Sequence, residues 1–267
     1  MALMLDEPVD LERRFGGLRR LYGDAGYARI RAARVAIVGV GGVGSWAAEA
    51  LARSGVAGLT LIDLDHVSES NINRQIQATS ATLGQAKVQA LRERIAGIHP
   101  GCEVIGVEEF VDESNWPALL PHAVDAVIDA CDQVRAKAAI AAWALGTRFG
   151  ALIAAGAAGG KRQPHAVQVD DLAGVTHDPL LAALRQRLRK HHGAARSGKI
   201  GVRCVYSREA VIAPGAVVCE TADDDAATSS TIDGSLNCHG YGSSVSVTAT
   251  FGMVAASLAL ESLALQK

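Results

Sequence analysis

Short apolar runs alternate along this chain with longer amphipathic stretches. Val35-Ala-Ile-Val38 is a β-branched run that feeds Gly39-Val-Gly41-Gly42-Val-Gly44, and apolar residues then recur at helical spacing over about 44–54. A strand, a glycine turn and a helix in that order begin a βαβ unit. Strands are predicted at about 34–39, 59–63, 102–108, 124–130 and 151–155, with helices at about 44–54, 82–97 and 135–146. Such alternation makes a parallel sheet with right-handed crossovers. His165 to Asp170 alternates like an antiparallel strand with one wet face. The expected fold is therefore α/β and Rossmann-like: a mostly parallel sheet with flanking helices and an antiparallel extension.

Leu11 to Ile30 reads as helical, interrupted at Gly16-Gly17 and Gly23, and residues 1–10 read as a flexible arm. Asp178-Pro179 is a helix start, an N-cap acceptor followed by proline in the first turn. Leu181, Leu184 and Leu188 then form an apolar stripe, and Gly193 is a stop signal. Ala194 to Gly201 reads as a basic loop, and 223–231 as a polar, flexible one. Cys204 in Val202-Arg-Cys-Val-Tyr206 reads as a strand-core thiol. Residues 243–265 read as a buried helix. The segment is rich in Ser and Thr and meets Glu261 before a span of about 20 apolar residues is complete. No membrane span is expected. These readings give one domain over 11–267, with a nucleotide-binding core at about 30–160 and a basic insertion at about 173–204.

A length of 267 residues accommodates that single core, and a net charge of −2 leaves room for a local basic patch. The five cysteines include no C-x-x-C pair. With no recognisable leader, they read as reduced thiols of a cytoplasmic protein, and no zinc is expected.

The chemistry concentrates after the second strand. Asp63 lies about 20 residues beyond the glycines, where an acid bonds a ribose hydroxyl. Asp65, Ser70, Asn71, Asn73, Arg74 and Gln75 follow it, then Lys87. A nicotinamide cofactor does not need that density of anion-binding groups. Guanidinium and ammonium beside a glycine loop suit a triphosphate under attack. The fourth strand ends Asp129-Ala-Cys-Asp132, and acids at the carboxyl ends of parallel strands sit where ligands bind. Asp132 is placed to hold Mg2+. Pro179 to Arg208 carries eight Arg and Lys residues and no acid. Such a one-sided surface reads as a phosphate-backbone contact.

At these residues the chain resembles the ThiF/MoeB-type adenylating enzymes, the activating enzymes of ubiquitin-like proteins. The matching elements are Gly39-x-Gly41-Gly42-x-Gly44, Asp63-x-Asp65, Ser70-Asn71-x-x-Arg74-Gln75, Gly84-x-x-Lys87 and Asp129-x-x-Asp132. The resemblance implies ATP and Mg2+. It places Asp63 on the ribose and Asn71, Arg74, Gln75 and Lys87 on phosphates, with Asn73 and Asp65 in the same site. Asp132 is expected at the metal and the reacting group, so Arg74, Lys87 and Asp132 become the catalytic candidates. The resemblance also implies a homodimer in which an N-terminal arginine, here Arg14, reaches the neighbour's ATP.

The chain departs from members that activate proteins. It has no C-x-x-C pairs, and no cysteine lies between Asp170 and Lys199, where some members carry a catalytic one. Instead it has Arg185, Arg187, Arg189, Lys190, Arg196 and Lys199, the candidates for tRNA contact. Together with Arg14-Phe-Gly-Gly17, Asn73-Arg-Gln-Ile76 and Thr248-Ala-Thr-Phe-Gly252, this makes the chain similar to the branch of tRNA threonylcarbamoyladenosine dehydratases. That branch activates the threonyl carboxylate of a modified adenosine beside the anticodon and cyclises it. The resemblance leaves room for a sulfur-metabolism protein as a partner. The alternative is an adenylyltransferase for a ubiquitin-like sulfur carrier.

Overall fold

The computed structural model describes residues 9–212 and 241–265. Seven strands form one sheet: β1 (Arg34–Val38), β2 (Gly58–Ile62), β3 (Glu103–Val107), β4 (Ala126–Asp129), β5 (Leu152–Ala155), β6 (Val167–Asp171) and β7 (Arg203–Ser207). Their spatial order is β3-β2-β1-β4-β5-β7-β6. Neighbours run parallel except β6 and β7. The expected mixed sheet is therefore present. β7, which Cys204 marked only as strand-like, inserts between β5 and β6, so Arg203 and Cys204 of the basic stretch already belong to the main sheet.

Alternation along β1 assigns the two faces. Val35 and Ile37 point into one core with α3 (Gly44–Arg53), α4 (Lys87–Ile98) and α7 (Val245–Leu265). Ala36 and Val38 point into the other, with α5 (Val134–Thr147) and α6 (Pro179–His191). β2 is buried at every position, as expected of a parallel strand covered on both faces. The N-terminal helical stretch divides into α1 (Leu11–Phe15) and α2 (Arg19–Ala32), joined by a 3-10 turn and bent at Gly23. Asp10 caps α1 by accepting from the Arg13 amide; residues 1–8 lie outside the described part. The polar loop at 223–231 and Cys238 also lie outside it.

One helix boundary is corrected. The helix expected from about 82 starts only at Lys87. The Gly84 amide donates to Val67 O and the Val67 amide to Gln85 O, which holds these residues out of a helix. The 243–265 segment is long and apolar enough to cross a membrane by length and composition, and here it packs on the sheet. Phe251, Ala255, Ala259 and Leu263 are buried. Gly252 lets α7 cross α3 closely, since a Cβ there would sit 2.8 Å from that of Trp46.

Candidate active site

A cleft opens at the carboxyl ends of β1, β2, β4 and β5, where the strand order reverses between β1 and β4. Open parallel sheets bind ligands at that reversal. Gly39 turns the chain out of β1 at φ +81°, and a Cβ there would lie 2.9 Å from Ala130 O and Cys131 N. Gly41 and Gly42 line the cleft. Gly44 is not part of the lining; it packs against the Gly39 carbonyl as α3 begins. No side chain caps the start of α3. The Ser45 amide already donates to Gly41 O; the uncapped start and the helix dipole favour an anion there.

Asp63 leaves β2 with its carboxylate held on both sides. One oxygen accepts from the Val40 amide at 2.7 Å and the other from the Asp65 amide at 2.9 Å. Burial raises its pKa, and nearby Lys87 and the two amides oppose that shift. The remaining lone pairs can accept ribose hydroxyls. Lys87 is buried, and its ammonium sits 2.6 Å from the Asp65 carboxylate. Arg74 donates to Ser70 O at 2.6 Å and to Asn73 Oδ1 at 2.9 Å, and its own carbonyl accepts from the Trp46 indole. Gln75 lies buried beside it and accepts from Gln77.

Across the cleft, the half-buried Asp132 has no hydrogen-bond or ion-pair partner among the described residues. An open carboxylate facing a phosphate site suits Mg2+, which is bound by one or two carboxylates plus substrate phosphates. Among the described residues, no group of three His, Cys, Asp or Glu side chains could hold a metal by itself.

Some candidates lie outside the lining. Asn71 caps a 3-10 turn by accepting from the Ser68 amide. Asn73 donates to Ser243 O at 3.0 Å, tying the polar run to the cleft wall. Arg14 donates to Ile98 O at 2.7 Å, at the end of α4, and does not reach the cleft of its own chain.

Other groups support the site; the sequence marks Asp129 as a strand-end acid and Asp178 as a helix cap, but gives no sign of Lys137. Asp129, at the end of β4, is buried and pairs with the fully buried Lys137 at 3.1 Å. Burial pulls the Lys137 ammonium down, and the adjacent Asp129 carboxylate more than offsets this and holds its pKa up. The Cys131 thiol also donates to Asp129, and burial pushes its pKa up, so it is not a ready nucleophile. Asp178 caps α6 through the Leu181 amide and also accepts from the Ala157 amide in the turn after β5. Gly156, Ala157, Ala158 and Gly159 form the β5 side of the cleft. The glycine-rich end of that strand was the only signal for them.

The leucine stripe docks α6 as expected, with Leu181, Leu184 and Leu188 buried. Its basic residues do not form one uninterrupted strip. Arg185 donates to Leu172 O and Val175 O, and Arg187 pairs with Glu113 at 2.9 Å. Arg189 donates to Ala195 O, while Lys190, Arg196 and Lys199 are exposed. Leu180, in the first turn of α6, borders the cleft. At about 1.5 Å per residue the Arg189–Lys190 end lies roughly 15 Å along the helix from that border, not at the mouth itself.

Comparison with known proteins agrees with this geometry. Residues 14–266 match the ThiF family. The tRNA threonylcarbamoyladenosine dehydratase of Escherichia coli is 43% identical over 256 residues, covering 93% of this chain and 92% of the relative. That of Haemophilus influenzae is 39% identical, covering 96% and 95%. The crystal structure of the E. coli tRNA N6-threonylcarbamoyladenosine dehydratase in complex with ATP superposes with a TM-score of 0.82 at 41% identity, covering 94% of each chain. The chain thus belongs to the ThiF family of adenylating enzymes, among its tRNA threonylcarbamoyladenosine dehydratases.

Proposed function

We propose that this protein is an ATP-dependent dehydratase of tRNA, cyclising threonylcarbamoyladenosine next to the anticodon. One observation carries the reading. A single cleft gathers the glycine turn, Asp63, Arg74, Lys87 and Asp132, in a chain that matches these dehydratases along nearly its whole length. The E. coli relative has been crystallised with ATP and with AMP, the nucleotides expected before adenylation and after ring closure.

The arrangement supports the following reaction. The threonyl carboxylate attacks the α-phosphorus of ATP, and the bond to the bridging oxygen breaks, so pyrophosphate leaves with the electron pair. The α3 amides, Arg74 and Lys87 neutralise charge that develops on the phosphates. Asp132 would hold Mg2+, which would supply further neutralisation of phosphate charge. Asp63 holds the ribose. A neighbouring carbamoyl atom then attacks the activated carbonyl and expels AMP. Both reacting groups belong to one nucleoside, which gives a large proximity advantage. No protein thiol is required. The alternative, activation of a sulfur-carrier protein, is disfavoured by the full-length agreement with the dehydratases and by the absent C-x-x-C pairs.

The reading includes a cytoplasmic homodimer in which Arg14 serves the partner's ATP site. It also assigns the exposed end of α6 and the following loop to the tRNA backbone, through Arg189, Lys190, Arg196 and Lys199. Arg185 and Arg187 assist mainly by holding that region in place. This assignment is tested by titrating tRNA at several salt concentrations. Each phosphate neutralised contributes about 0.7–0.9 to the slope of log affinity against log salt. The double variant Arg189→Glu/Lys190→Glu is expected to bind tRNA more weakly and to flatten the slope by roughly 1–2, with ATP affinity unchanged. An unchanged affinity and slope would leave α6 as a solvated face.

A further inference from the structure

The cleft has a half that nucleotide binding does not use. Asp63 at β2 marks the ribose end and the glycine turn after β1 marks the phosphates. A group joined to the α-phosphate therefore extends past β4 toward β5. The wall it meets is the turn Gly156–Ala157–Ala158–Gly159.

The main-chain N–H groups at the two edges of this turn are accounted for. The Gly156 amide donates to Val205 O, that of Ala157 to Asp178 and that of Gly160 to Gly242 O. The amides of Ala158 and Gly159 have no partner among the described residues. Ala158 is 7% exposed. Gly159 beside it is half-buried. A shielded N–H without an acceptor is rare and costly in a folded protein, so the Ala158 amide, with that of Gly159 next to it on the cleft wall, calls for a ligand oxygen.

The turn is also held with unusual firmness from behind. Asp178 grips the Ala157 amide and the start of α6 together. Lys161, 2% exposed, donates to three carbonyls: His177 O, Ser207 O and Glu209 O. Glu209 in turn accepts from the Arg162 and Gln163 amides. The opposite charges of Asp178 and Lys161 lie close enough to influence each other's titration. These groups touch β5, α6 and β7 at once and leave the turn little freedom. A stabiliser of developing charge needs that preorganisation.

We propose that the amides of Ala158 and Gly159 form an oxyanion pocket for ring closure, resting on the dehydratase reading, with Asp178 and Lys161 as positioning residues. When the carbamoyl atom attacks, one bond forms to the acyl carbon and the carbonyl oxygen becomes negative. That oxygen is held by the two amides. The carbon–oxygen bond to AMP then breaks, AMP leaves with the electron pair, and one carbamoyl proton passes to solvent. Adenylation itself, at phosphorus, does not use the pocket.

The test replaces each amide by an ester, with lactic acid at 158 or glycolic acid at 159, in the full-length protein. Neither N–H has a partner among the described residues, so the replacement removes no hydrogen bond found there. Single-turnover reactions with ATP and tRNA bearing threonylcarbamoyladenosine are quenched in time, and pyrophosphate, acyl-adenylate and cyclic nucleoside are measured. Pyrophosphate release is expected at the wild-type rate, while ring closure slows by on the order of 10²-fold per donor and the acyl-adenylate accumulates. Asp178→Asn is expected to show the same split between the two steps. Ring closure at the wild-type rate in both ester proteins overturns the pocket. Equal loss of both steps in Asp178→Asn, with a lowered melting temperature, overturns its positioning role. A wild-type protein that dehydrates no tRNA overturns the functional reading itself, so the two failures are distinguishable.

Discussion

Alanine at Arg74 or at Lys87 is expected to lower single-turnover formation of the cyclic nucleoside by on the order of 10²–10³. Both side chains line a half-enclosed cleft, and in the proposed reaction they set positive charge against the phosphates where a fixed charge is worth more than in water. Their structural duties are light by comparison. Lys87 pairs with Asp65, whose side chain is 58% exposed and returns to solvent without large cost. Arg74 holds the backbone of its own polar run through Ser70 and Asn73. The variants should remain folded, with near-normal melting temperatures. A variant that turns over at close to the wild-type rate removes that residue from the phosphate site.

The second large effect concerns stability. Lys137→Met leaves Asp129 buried beneath the cleft with only the Cys131 thiol and amide as donors. Asp129 Oδ2 has no hydrogen-bond partner among the described residues even with Lys137 in place. Removing one partner of a buried pair costs about 3–5 kcal/mol. For a chain of this size that lowers the melting temperature by roughly 6–20 °C. The double variant Asp129→Asn/Lys137→Met removes both charges and is expected to recover much of the loss. Denaturant titration of the two proteins decides it. A cost below about 1 kcal/mol for Lys137→Met, the size of a surface pair, would mean that the ion pair does not hold this end of β4.

These two predictions fall on opposite sides of what could be read in the sequence. Arg74 and Lys87 were legible because a strand, a glycine turn, a helix and a strand-ending acid follow one another, and local order fixes their relative places. Lys137 was not. In Val134-Arg-Ala-Lys-Ala-Ala-Ile it looks like one more solvated charge on a helix, and only the approach of β4 makes it a buried counter-ion. Asp178 was recognised as a helix cap, but its second bond, to Ala157 some 21 residues earlier, depends on the packing of α6 against β5. Glu113 lies far from the basic helix in sequence, so the neutralisation of Arg187 was invisible. The place of β7 escaped for a related reason. It follows both of its neighbours in chain order and sits between them in the sheet. The late start of α4 was hidden by the backbone pairing of Val67 with Gln85, which no periodicity announces.

The side chains around the cleft, the amides of Ala158 and Gly159 on its β5 wall and the basic end of α6 fit one reaction, in which ATP activates a carboxylate that then cyclises within its own nucleoside. The most direct measurement is incubation of the purified protein with tRNA bearing threonylcarbamoyladenosine, with and without ATP and Mg2+, followed by mass spectrometry of the released nucleosides. The expected result is loss of one water from the modified nucleoside only when ATP is present, with AMP and pyrophosphate formed in equal amounts. An unchanged nucleoside in the presence of ATP, or cyclisation that proceeds without it, would contradict the assignment.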